Sequence, residues 1–130
     1  MPSRNDRIRN ARDGRSAKPP PESLYEHPSD GCPQEEYFVE LDPEYQIVER
    51  VVYHEGRIAE FAMILVRVGP SRHTEVYSVD TKHGYLHQHT HGHARPNDKQ
   101  DVMPLFSQFD VEESWDTAYG LVKTKYSRLE

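Results

Sequence analysis

The stretch "RIAEFAMILVRV", residues 57–68, is the strongest indication of the fold in this sequence. It is apolar at every position from Phe61 to Val66, so a strand formed here would present apolar side chains on both of its faces. The turn-forming sequences "HEGR" at 54–57 and "GPSR" at 69–72 bound it on either side. We therefore expect the central strand of a sheet that is covered on both faces.

Four shorter segments flank this strand. "EYFVEL" at 36–41 alternates apolar and polar side chains, while "HTEVYSVD" at 73–80 and "YLHQHTH" at 85–91 each follow a short turn. The segment "QIVERVVY" at 46–53 also fits a helical stripe, but its β-branched and aromatic residues favour a strand. Together the segments predict an antiparallel sheet of about five strands in meander order.

The segment "DVEESWDTAYGLVKTKY" at 110–126 predicts a C-terminal helix. Helical spacing places one set of apolar and aromatic side chains on a single face: Val111, Trp115, Ala118, Val122 and Tyr126. Asp110 and Glu113 have capping-box spacing, which predicts that the helix begins at Asp110. After a polar loop at 92–101, the helix would pack on one face of the sheet. The fold is then α+β, with the other face left for solvent, a partner or a substrate.

The length of 130 residues allows one domain. The first 33 residues combine prolines, including a triple proline, and scattered arginines with almost no periodic apolar residues, so we predict a disordered tail at 1–33 and a single α+β domain at 34–130. The basic part of this tail could contact nucleic acid or an acidic partner, although a solvated leader is the more common role of such termini.

Composition excludes several classes of protein. The formal net charge of −6 disfavours a general DNA-binding protein, because a polyanion would be repelled overall. A single cysteine, Cys32, excludes an internal disulfide framework. The longest uncharged apolar run, 61–66, is far shorter than the roughly 20 residues of a membrane span. These features predict a soluble, cytoplasmic protein with no membrane association.

The stretch "YLHQHTHGHARP" at 85–96 carries the candidate chemistry. Strand alternation places one set of side chains on a single face: Tyr85, His87, His89 and His91. If "TKHG" at 81–84 closes a tight hairpin, Asp80 lies opposite Tyr85 and Ser78 opposite His87. Leu86 is the plausible inward residue, so the imidazoles would lie on the open face or at the edge of the sheet.

Three interpretations of these histidines stay open. In the first, imidazoles with a pKa near 6.5 act as acid and base on RNA without a metal, and the catalytic set is His83, His87 and His89 with Asp80. Lys82 or Arg95 would stabilise the phosphorane, and Tyr85 would contact the substrate. In the second, zinc or nickel is held by His87, His89 and His91. In the third, the histidines are only the polar, exposed face of an edge strand.

The motif "YSVDTKHGYLHQHTHGH" at 77–93, preceded by "YHEGRIAEFAMILVRVG" at 53–69, resembles the small prokaryotic domains related to the TumE-like toxin-antitoxin proteins. The matching features are a hairpin glycine, a tyrosine-and-aspartate signature followed by histidines, and a C-terminal helix. The resemblance implies a toxin that acts on RNA and is neutralised by a cognate antitoxin.

The resulting hypothesis is a toxin-type, metal-independent ribonuclease with no cofactor. The alternative is a non-enzymatic protein: a histidine-rich module that binds zinc or nickel, or an adaptor whose exposed edge strand pairs with a protein partner.

Overall fold

A computed structural model describes residues 19–26, 31–93 and 98–129 of the chain. They form one antiparallel sheet and one C-terminal helix, α1 (Gln108–Ser127). The strands lie in the sheet in the order in which they occur in the chain: β1 (Gln34–Asp42), β2 (Tyr45–His54), β3 (Arg57–Val68), β4 (His73–Asp80), β5 (Tyr85–His93) and β6 (Lys99–Pro104). The predicted α+β fold with a meander sheet is confirmed.

Strand β3 is the interior strand that its apolar run predicts. It pairs with β2 on one side and β4 on the other, and the run from Met63 to Val66 is buried without interruption. Its odd-numbered side chains, among them Phe61, Met63 and Leu65, belong to the main core, whereas Ile64 and Val66 form a separate small cluster with Val48. The two parities of one strand therefore supply two different packing surfaces.

Helix α1 packs on β3, β4 and β5 and closes the main core. Val111, Ala118 and Val122 are fully buried, and the Trp115 ring meets Phe61 edge-on at 5.0 Å between centroids. The predicted start at Asp110 is wrong by a few residues. Ser107 is the N-cap, and its side chain accepts a hydrogen bond from the Asp110 amide. Asp110 instead accepts from the Phe106 amide at 2.8 Å, so it stabilises the approach to the helix.

Strand β6 was not predicted, because its residues fall partly in the expected polar loop. It contains few apolar residues and ends at a proline. Its strand conformation depends on pairing with β5, in which Leu86 lies opposite Met103 and His87 opposite Asp101. The pairing turns β5 into an interior strand, so the histidines do not lie on a sheet edge.

The predicted tail overlaps with a described segment that contacts the sheet. Residues 19–26 contain a 3₁₀ turn at Pro21–Ser23, and the Tyr25 amide donates to the carbonyl of Leu105 at 2.8 Å. Leu24 packs closely against Gly84. A Cβ added to Gly84 would lie only 2.7 Å from the Cβ of Leu24. Residues 19–26 and 31–33 of the predicted tail are therefore described and make defined contacts with the sheet, while 1–18 and 27–30 lie outside the described residues.

We call the sheet face turned away from α1 the distal face. Strand pairing defines two rows of side chains that cross it from β1 to β6. The first row is Phe38, Val48, Ile64, Ser78, His89 and Lys99. The second row is Glu36, Arg50, Ala62, Asp80, His87 and Asp101. No helix in the described part of the chain has the length and apolarity needed to cross a membrane.

Candidate functional site

Where the two rows cross β4 and β5, their side chains are polar. We call these four residues the polar cluster: Ser78, Asp80, His87 and His89. Asp80 lies opposite His87 and Ser78 opposite His89. The assumed tight hairpin is therefore wrong by two residues, because the chain between the strands forms a wider turn. Because a register shift of two residues leaves each side chain on the same face, the prediction that Ser78, Asp80, His87 and His89 share one face is correct.

The polar cluster is buried, which differs from the expected exposed ladder. The residues are exposed by 0% for Ser78, 3% for Asp80, 2% for His87 and 7% for His89. Burying polar groups costs free energy unless they are hydrogen-bonded. The interpretation as a simple solvated edge strand is therefore wrong for His87 and His89.

Asp80 connects the two histidines. Its Oδ2 lies 3.0 Å from Nε2 of His89, and its Oδ1 lies 3.4 Å from Nε2 of His87. The His89 contact is a hydrogen bond in which a carboxylate accepts, so His89 carries its proton on Nε2. The two rings are stacked, with centroids 6.0 Å apart and planes inclined by 29°. The carboxylate thus fixes the orientation of both imidazoles.

The same groups hold the backbone of Lys82. The Lys82 amide donates to Asp80 Oδ1 at 3.2 Å, and Nε2 of His87 lies 2.6 Å from the Lys82 carbonyl oxygen. A carbonyl can only accept, so His87 must also be protonated on Nε2. Both backbone polar groups of Lys82 are therefore held by buried, ionisable side chains.

Burial lowers the pKa of His87 from its usual value near 6.5, and the positive charge of Lys99 acts in the same direction. The carboxylates of Asp80 and Asp101 oppose this effect, but desolvation is the larger cause. His87 is therefore neutral near pH 7 and its Nδ1 carries a lone pair. This atom is buried, has no hydrogen-bond partner among the described residues, and lies 3.7 Å from Oδ1 of Asp101.

The held segment is a 3₁₀ turn at Lys82–Gly84. His83 has φ 58° and ψ 32°, a left-handed conformation that few residues other than glycine adopt, and Gly84 follows with φ 78°. On the opposite side, Thr81 joins the turn to β3, because its Oγ1 accepts from the Phe61 amide at 3.0 Å. The polar cluster, Thr81 and the contact of Leu24 with Gly84 together fix the turn.

A cavity of about 300 Å³, which we call the turn cavity, opens beside this turn. It is lined by three parts of the chain: Tyr25 and Glu26, Ala59 and Glu60, and Thr81 to Gly84. The Lys82 and His83 residues in this lining are exposed. One small concave site is therefore lined by a lysine, a histidine and two glutamates, residue types that serve in acid–base catalysis and in binding of polar ligands.

The remaining predicted site residues lie elsewhere. His91 is exposed and its Nδ1 lies 2.5 Å from Asp98, so it is not part of the polar cluster. Tyr85 is partly buried and its hydroxyl is enclosed. Arg95 lies outside the described residues. Among the residues that are described, no group of three or more His, Cys, Asp or Glu side chains is arranged to hold a metal ion.

Sequence reasoning did not single out Glu60, Tyr25 or Glu26 as cavity residues. Glu60 follows Ala59 in the central strand, and Tyr25 and Glu26 belong to the segment expected to be disordered. No local pattern distinguishes them, because they meet Lys82 and His83 only through the pairing of β3 with β4 and the return of the N-terminal segment.

Comparison of the chain with protein-family models, with curated proteins and with solved structures finds no match. The resemblance to the TumE-like proteins therefore stays a prediction, and the function has to be argued from the geometry of the site.

Proposed function

We propose that this protein is a metal-independent ribonuclease of toxin type whose reaction centre is the turn cavity. The proposal rests on the two contacts that fix the backbone of Lys82. The Asp80 carboxylate accepts from its amide at 3.2 Å, and the His87 ring contacts its carbonyl at 2.6 Å. A buried ionisable network that fixes the backbone of Lys82 supports the position of the exposed Lys82 and His83 in the cavity that Glu60 also lines.

These residue types suit cleavage of RNA by its own 2′-hydroxyl. A base removes the 2′-proton, the 2′-oxygen attacks phosphorus, and an acid protonates the departing 5′-oxygen, which leaves a 2′,3′-cyclic phosphate and a free 5′-hydroxyl. Glu60 is the candidate base, His83 the candidate acid, and Lys82 the cation that balances charge on the phosphorane. All the protons are supplied and removed by side chains, so the step needs no metal.

Within this proposal the predicted catalytic residues have two different roles. His83 is exposed at the cavity and can reach a substrate. His87, His89 and Asp80 are each less than a tenth exposed, so a polymer cannot contact their nitrogen and oxygen atoms. They are positioning residues that act through the backbone of the turn.

The net charge of −6 and the two cavity carboxylates oppose tight binding of RNA. Lys82 is then expected to contribute to substrate affinity as well as to catalysis. We expect Lys82→Ala to raise KM and to lower kcat.

The test uses purified full-length protein, a fluorescently labelled single-stranded RNA and excess EDTA. Wild type is expected to cleave and to leave 2′,3′-cyclic phosphate ends. His83→Asn is the sharpest variant, because asparagine tolerates the left-handed backbone of this position, so the turn is retained while the acid is lost. A loss of about 100-fold or more in kcat is expected.

His73→Asn is the matched control, since His73 is an exposed histidine at the other end of β4. It should cleave like wild type. An inactive wild type, activity that disappears with EDTA, or full activity of His83→Asn would each overturn the proposal.

A further inference from the structure

Strand β1 forms an open edge of the sheet. It is nine residues long and pairs only with β2 among the described residues. Natural sheets protect their edges with short strands, lysines, prolines or bulges. The opposite edge strand, β6, is six residues long and contains Lys99 and Pro104. Strand β1 contains neither lysine nor proline, and its irregularity lies at its very end, between Glu40 and Asp42.

One hydrogen bond shows which backbone groups of β1 point away from β2. The Tyr53 amide donates to the Pro33 carbonyl at 2.9 Å, so residue 33 faces β2. In an antiparallel ladder, inward and outward residues alternate. The amides and carbonyls that are left for another strand therefore belong to Gln34, Glu36, Phe38 and Glu40.

The side chains of β1 are exposed at residues 34–38 and at Glu40. Phe38 is 62% exposed and Tyr37 is 40% exposed. With Phe109 in α1, they are the large apolar side chains that the described residues leave exposed. Phe38 lies on the distal face between Glu36 and Glu40, and β1 carries no positive side chain. The edge thus presents an aromatic ring flanked by carboxylates.

A second copy of the same strand does not fit this edge. Antiparallel pairing of two β1 strands about Phe38 would place Glu36 of each copy opposite Glu40 of the other. Like charges directly opposite each other destabilise a sheet. Glu36 pairs with Arg50 at 2.8 Å, but both side chains are about half exposed, so this ion pair is weak and Glu36 can still attract a cation, as can Glu40. The edge therefore favours an occupant of opposite charge.

We infer that β1 binds an extended segment of another protein as an additional strand of the sheet. The segment carries an apolar residue opposite Phe38 and a lysine or arginine two positions away on each side, opposite Glu36 and Glu40. Backbone hydrogen bonds supply sequence-independent affinity, and the alternating side chains supply specificity. This surface is separate from the turn cavity and does not depend on the proposed ribonuclease activity.

The test uses a synthetic nine-residue peptide with valine at its centre, lysine two positions away on each side, and threonine elsewhere. Binding to full-length protein is measured by fluorescence polarisation. Phe38→Asp is expected to weaken binding about tenfold or more, because it removes the main apolar contact. Glu40→Lys should weaken binding about fivefold. Phe109→Asp, which changes an equally exposed aromatic residue in α1, should leave binding unchanged.

A second measurement distinguishes strand addition from simple side-chain contact. Residue-resolved amide exchange should show protection on peptide binding at the outward amides of Glu36, Phe38 and Glu40, with no change in β6. A peptide with glutamate in place of lysine should not bind. Absence of binding, equal binding of the glutamate peptide, or protection confined to β6 would overturn the inference. So would a wild-type dimer that Phe38→Asp converts to a monomer, since the edge would then belong to a second copy.

Discussion

The distal face of the sheet has two halves that are buried to a similar degree by opposite means. Val48, Ile64 and Val66 form an apolar patch with exposures of 7–8%, and the polar cluster around Asp80 lies beside it on the same face with exposures of 0–7%. Burial of the apolar patch is favourable by itself. Burial of Asp80 and His87 requires hydrogen bonds, and those bonds extend to the backbone of Lys82. The polar half therefore stabilises a particular turn and not only the sheet.

The largest effect is expected when the polar half loses its carboxylate. Asp80→Ala leaves His89 and the Lys82 amide without their buried acceptor, and we expect a loss of about 3–5 kcal/mol in the free energy of unfolding. Urea denaturation followed by circular dichroism measures it. Asp80→Asn, which keeps the shape and one acceptor, should lose less. A loss below about 1 kcal/mol for Asp80→Ala would contradict the role given to the carboxylate.

The apolar half should respond more weakly and without any effect on the turn. Ile64→Ala removes a side chain that is 7% exposed, and a loss of about 2–4 kcal/mol is expected from lost burial and the cavity left behind. Ile64→Val, the conservative control, should cost about 1 kcal/mol. Amide exchange of Lys82 should stay as in wild type after correction for global stability. Selective loss of protection at Lys82 would show that the two halves are not independent.

The polar and apolar halves of the distal face should also differ in how they make stability depend on pH. Burial lowers the pKa of His87 in the folded protein, so the unfolded chain binds more protons as the pH falls through about 6.5. The contribution of the neutral His87 is present above this value and is lost as the pH decreases toward the lower folded pKa. The slope that one such group adds is at most about 1.4 kcal/mol per pH unit.

We expect His87→Gln to flatten the stability curve below about pH 6.5, whereas Ile64→Val shifts the whole curve by a constant amount. The groups that face His87 are Asp80, His89, Lys99 and Asp101. An unchanged slope in His87→Gln would show that another group titrates in this range.

The smallest effect on stability is expected where the first row reaches the β1 edge. Phe38 is 62% exposed, so Phe38→Asp should change the free energy of unfolding by no more than about 0.5 kcal/mol. The same substitution is expected to abolish most of the peptide binding at this edge. A loss of 2 kcal/mol or more would mean that Phe38 belongs to the apolar patch and is not an open contact residue.

Much of the fold was predictable from local pattern. The double-sided apolar run at 61–66 predicted β3 as an interior strand, and the helical stripe from Val111 to Tyr126 predicted α1. Strand β6 was not predictable, because "KQDVMP" has no alternation and becomes a strand only by pairing with β5. The helix start differed because Ser107, not Asp110, has the extended backbone of a cap.

The candidate site was predicted in part for the same reason. Strand parity correctly placed Asp80, His87 and His89 on one face, since alternation does not depend on the exact register. The burial of these residues and their contacts with the Lys82 backbone were not predictable, because they depend on the wide turn between β4 and β5 and on the pairing of β5 with β6. Nor could Glu60 be assigned to the same cavity as His83, since the two residues are brought together by the pairing of β3 with β4.

Local sequence pattern was sufficient for strands β1 to β5, for helix α1, for the order of these elements and for the face on which the β4 and β5 side chains lie, because these follow from side-chain periodicity and from the turn residues between strands. Contacts distant in the chain set three further properties of the described residues: the burial of His87 and His89, the exposure of His83 at the turn cavity, and the lack of a second partner strand for β1. These properties depend on contacts between residues distant in the chain, and local periodicity carries no information about them.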